Sequence, residues 1–101
     1  MKQAELKQLS RIISPIFEEY AVSFAALFGS RATGTANSRS DYDILIDYYP
    51  KSGFSLLELA GLQQDLKKKL KTKVDVVTKN GLSPYMKKDI INSSQILYDK
   101  R

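Results

Sequence analysis

"LFGSRATGTANSRSDYDILIDYY", residues 27–49, is the stretch on which the fold of this chain turns. An apolar run, Val22 to Phe28, stops at Gly29 as a buried strand stops at a turn. Residues 31–40 are small, polar and glycine-containing, which predicts a loop with room for one helical turn at its start. Asp41 to Tyr49 predicts a second strand, closed by Pro50 and the turn residues Lys51 to Gly53. Two carboxylates at the head of a buried strand are costly to desolvate unless something positive compensates. Strand residues two apart face the same side, so Asp41 and Asp43 project together while Tyr42 points the other way. Their Cα atoms are expected roughly 7 Å apart, near enough to repel unless a cation sits between them.

Outward from this stretch, helices alternate with apolar strands. Lys2 to Tyr20 carries Leu6, Leu9, Ile13, Ile16, Phe17 and Tyr20 close to helical spacing. Pro15 interrupts it, which predicts one kinked helix or two short ones, with Ser14 as a cap before the proline. Ser55 and Glu58 form a capping-box pattern that opens a helix, its buried face drawn from Leu56, Leu59, Ala60, Leu66 and Leu70. Lys73 to Thr78 reads as a third strand by its β-branched content, and Asn80-Gly81 turns the chain. Ser83-Pro84 starts a last helix with Met86, Ile90 and Ile91 on its apolar side, and QILYD, residues 95–99, is a final strand. The pattern is that of one α/β or α+β domain spanning residues 1–101.

A third carboxylate, Asp75, lies among valines in the third strand. If that strand runs beside the second, Asp75 faces the same cation as Asp41 and Asp43. Asp47 shares their side of the second strand but sits about 13 Å beyond Asp43. Oxygen ligands of Mg²⁺ lie at about 2.0–2.1 Å, so Asp47 reads as a solvated strand-end residue. The chain has no histidine and no cysteine, so any metal is held by oxygen, which favours Mg²⁺ or Mn²⁺ and a carboxylate as catalytic base. Such ions bridge protein carboxylates to substrate phosphates, and a pair of them stabilises both oxygens of an in-line displacement. Gly29 then lets the backbone approach a phosphate closely, and Ser30 adds a hydroxyl beside main-chain N–H groups. Arg31 and Arg39 are placed to neutralise a phosphate tail.

The formal net charge of +5 fits an anionic partner: a nucleotide, a nucleic acid or an acidic protein. Much of it lies in DLKKKLKTK, residues 65–73, which reads as a solvated face with cations favouring a helix C-terminus, RNA contact being the alternative. No apolar run approaches the roughly 20 residues of a membrane span and the start lacks a signal-peptide core, so a cytoplasmic location is expected.

Gly29-Ser30, a ten-residue spacer, Asp41-Tyr42-Asp43 and the downstream VDVV, residues 74–77, together resemble the DNA polymerase β-like nucleotidyltransferase superfamily. The size and LFGSRATGTA, residues 27–36, are similar to its minimal nucleotidyltransferase (MNT) branch, over nearly the whole chain. The resemblance implies a nucleotidyltransferase fold, a small mixed sheet of about four strands flanked by helices. It implies transfer of AMP from ATP with release of pyrophosphate. Gly29 and Ser30 would hold the triphosphate, Asp41 and Asp43 would bind two Mg²⁺ ions, and Asp75 would complete the metal site and help deprotonate the attacking hydroxyl. Members of this branch commonly pair with a HEPN-domain toxin, which they neutralise by adenylylating a tyrosine or by binding. A hetero-oligomer is therefore expected, with a weakly active binding antitoxin or a small-molecule transferase as alternatives. One departure stands out: Thr33 occupies a loop position where the family often has arginine.

Overall fold

In the computed structural model, which describes residues 1–34 and 41–101, helix α1 (Gln3–Glu19) leads into strand β1 (Val22–Phe28). A single helical turn, α2 (Ser30–Thr33), and strand β2 (Tyr42–Tyr48) come next. Helix α3 (Leu56–Leu70) carries the chain to β3 (Val74–Thr78), and a 3₁₀ turn, helix α4 (Pro84–Ser93) and strand β4 (Gln95–Asp99) follow. The strands form one mixed sheet in the order β3-β2-β1-β4. β1 is antiparallel to both β2 and β4, whereas β2 and β3 run parallel. Parallel neighbours need a crossover, which α3 supplies.

The core lies on the side of the sheet covered by α1 and α3. Ala25 and Leu27 of β1, Ile44 and Ile46 of β2, and Val74 and Val76 of β3 pack there with Ile13, Phe17, Leu62 and Leu66 of the helices. α1 runs unbroken through Pro15, so of one kinked helix or two short ones the structure has the single helix. Ile13 and Phe17 are fully buried on either side of the exposed proline, and this packed stripe carries the helix through a position that propensity alone would break. Ser14 caps nothing; its hydroxyl donates to the Ser10 carbonyl one turn back.

The capping box at Ser55 and Glu58 is formed. Leu56, however, is 83% exposed and Ala60 is also outside the core, contrary to expectation. The stripe that packs runs through Leu59, Leu62, Leu66 and Leu70, and Leu56 lies one turn outside it. α4 is similarly half-used: Ile90 is partly buried, but Met86 and Ile91 are exposed. Among the described residues, no helix is long and apolar enough to cross a membrane.

Candidate active site

The end of the sheet where β1 finishes and β2 and β3 begin gathers the acidic residues. The parallel register sets Tyr42 against Val74 and Asp43 against Asp75. Cross-strand partners share a face of the sheet, so the Asp43 and Asp75 carboxylates stand side by side, on the opposite side from Tyr42 and its packed neighbours. Asp41 leads into β2, and the Tyr42 N–H donates to the Lys73 carbonyl at 3.1 Å. On the free edge of β3, the Gln63 side-chain oxygen of α3 accepts the Val76 N–H at 3.1 Å. That bond fastens the strand one residue past Asp75 and blunts its exposed edge.

On its other flank Asp43 is paired with Phe28, the last residue of β1, and Gly29 follows directly. Gly29 has φ 75° and ψ −158°, a conformation essentially reserved for glycine. A Cβ built there would stand 2.4 Å from Asp43 Oδ2. The bare glycine thus lets the carboxylate lie against the turn. Its carbonyl accepts from the Ala32 and Thr33 N–H groups at 3.1 and 3.2 Å, which closes the α2 turn and sets Ser30 at its start. The Thr33 hydroxyl turns inward to the Gly29 and Ser30 carbonyls, at 3.3 Å each. The Arg31 guanidinium lies 4.0 Å over the Tyr42 ring, on the residue between the two aspartates. Arg39 lies outside the described residues.

Burial pushes the Asp43 carboxyl above the ordinary carboxylate range, helped by repulsion from Asp75 and Asp41 and opposed by Lys73. Asp41 itself is turned towards Lys73, with Nζ 3.8 Å from Oδ2. Among the described residues, no three acidic side chains are drawn together into a formed metal cluster. The donor set nonetheless fits Mg²⁺ or Mn²⁺: three carboxylates at one strand end, mutually repelling, are relieved by a divalent cation. Asp47 sits at the far end of β2, opposite Phe24, and accepts from the Tyr48 N–H at 3.0 Å. Sequence reasoning missed Lys73 and Gln63. Lys73 stands two residues before Asp75 and its charge was the one local signal; Gln63 has none, because its contact exists only once α3 crosses the sheet.

The family model for polymerase β, nucleotidyltransferase, matches residues 11–101, so the chain belongs to that family and is a nucleotidyltransferase. A Methanocaldococcus jannaschii protein with the provisional name protein adenylyltransferase MJ0126 is 47% identical over 74 residues, which cover 72% of this chain and 74% of the relative. Protein adenylyltransferase MntA of Aphanizomenon flos-aquae is 30% identical over 106 residues, covering 96% and 69% of the two chains. A solved structure with the provisional name minimal nucleotidyltransferase superposes with a TM-score of 0.78 at 26% identity, covering 94% of this chain and 95% of that one. Within its family the chain is thus of the minimal type. The fold is shared as well with a complex of tri-AMPylated HEPN toxin and MNT antitoxin from Shewanella oneidensis, at a TM-score of 0.70 and 18% identity over 93% of this chain and 72% of that one.

Proposed function

We propose that this chain moves AMP from ATP to a hydroxyl, a tyrosine of a HEPN-type toxin partner, and so acts as an antitoxin. The observation that carries the reading is the pairing of Asp43 with Asp75 beside the Gly29 turn. The names of the adenylyltransferase relatives and the toxin–antitoxin complex of like fold support the substrate and partner.

In this reading Gly29 and Ser30 receive the triphosphate, with main-chain N–H groups close to its oxygens. Asp41, Asp43 and Asp75 hold Mg²⁺, two ions in the full site, and the metal when bound supplies charge neutralisation at the phosphates. The acceptor oxygen bonds to the α-phosphorus as the bond to the bridging oxygen breaks and pyrophosphate leaves. Asp75 takes the hydroxyl proton. Most of the rate gain then comes from positioning and from fixed charge around the phosphate. Arg31 would leave its place on Tyr42 to neutralise the phosphate tail, a role the sequence also assigns to Arg39.

Label transfer tests this directly. Purified protein, Mg²⁺ and ATP labelled on the α-phosphate are added to a lysate of the source cells, beside the Asp41→Asn/Asp43→Asn variant. A labelled protein band with the wild type alone is the expected result, and mass spectrometry then identifies the modified residue. No band, with both proteins capturing the same partner, would instead favour an antitoxin that works by contact.

A further inference from the structure

We infer that Lys73 is a positioning residue that holds Asp41 in the metal-free protein and releases it when a divalent cation binds, so that one ammonium group sets the concentration at which the site loads. The inference rests on the metal-site reading above and adds to it a competitor built into the chain.

Three observations meet at this residue. The Lys73 ammonium lies 3.8 Å from Asp41 Oδ2, with the two side chains 65% and 39% exposed. Its carbonyl accepts the Tyr42 N–H at 3.1 Å, just before the β2–β3 ladder begins, so the backbone fixes Lys73 beside Tyr42, the start of β2, which lies between Asp41 and Asp43 in the chain. Its charge also acts against the repulsion around Asp43. The ammonium therefore does part of what a metal would do at the same carboxylates. An arriving cation gains Asp41 only by displacing it. A half-exposed ion pair is weak, which suits a contact that has to be surrendered.

Lys71 provides the control. It stands two residues earlier, exposed, in the left-handed position that ends α3, and carries the same charge at nearly the same place in the chain. Calorimetric titration with Mn²⁺ alone, without nucleotide and at fixed ionic strength, separates the two. Lys73→Met is expected to tighten Mn²⁺ binding by about two- to fivefold, the range of a partly exposed ion pair. Lys73→Arg keeps the charge and is expected to stay close to wild type, as is Lys71→Met. Circular-dichroism melts confirm that each variant is folded; the Lys73 backbone bond survives any side-chain change. Unchanged or weaker binding by Lys73→Met overturns the inference while leaving the metal site standing. Equal tightening by Lys71→Met overturns it too, by reducing the effect to general charge. A wild type that takes up no Mn²⁺ removes the metal-site reading and this inference together.

Discussion

The two sides of β2 are one residue step apart and differ most at the site end. Tyr42, Ile44 and Ile46 point into the packed layer beneath α1 and α3, where Ile44 and Ile46 are fully buried. Asp43, between Tyr42 and Ile44, points the other way, to a neighbouring carboxylate on β3 and a bare glycine on the turn after β1. On the first side burial of apolar area holds the strand in place. On the second Leu45 is fully buried as well, and it is the site end of the strand that carries unfavourable electrostatics, read in the raised carboxyl of Asp43. The lesson is a division of labour: the buried apolar side chains supply the stability that the site end spends on holding like charges together.

That division can be broken from either side. The largest effect is expected from Ile44→Ala, which opens a cavity in the packed layer and should cost about 2–5 kcal/mol in a denaturant titration. Transfer per folded molecule should stay within about twofold of wild type, since no contact at the carboxylates is lost. A collapse of transfer in a sample shown to be folded would mean that the two faces are coupled. Next comes Gly29→Ala. The new Cβ meets Asp43 and the turn takes up a strained backbone, so transfer should fall about a hundredfold. Its stability loss, about 1–3 kcal/mol, should be the smaller part of the damage. Full activity in that variant would show that the close approach of turn and carboxylate is dispensable.

The smallest effect carries the most informative sign. Asp43 holds its proton more readily in the folded chain than in the unfolded one, so its ionisation works against folding. The penalty is absent below the ordinary carboxylate range and sets in as pH rises through the raised folded value. Asp43→Asn removes it, and in chelator at neutral pH the variant should melt higher than wild type, by on the order of a few degrees. The gain should fade as the pH drops below the carboxylate range. A variant that melts lower at neutral pH would place Asp43 among the stabilising contacts and dissolve the contrast between the faces.

The sequence carried this architecture unevenly. Apolar runs ended by Gly29, Pro50 and Gly81 marked the strands, and alternation put Asp41 and Asp43 on one side before any tertiary contact was known. Whether Asp75 stood near them depended on strand order, which local pattern does not encode; the parallel register set it beside Asp43. Leu56 misled, and Pro15 left one helix or two undecided, for the same reason. Periodicity marks a stripe but not where its partner surface begins, and propensity marks a break that buried Ile13 and Phe17 override. The ion pair of Lys73 with Asp41 and the Gln63 bond to β3 are products of the crossover; the charge of Lys73 hinted at the first, and the second has no local signature.

The crossover also fixes when, during folding, the site comes into being. β1 and β2 are consecutive antiparallel strands, and pairing them sets the Gly29 turn beside Asp43. Asp75 joins through the α3 crossover, a longer closure that costs more entropy. A chain caught before that event displays two of the three carboxylates and a Gly-Ser turn, but lacks the third. The contact that completes the chemistry therefore waits on the crossover, and a chain without it carries an unfinished site.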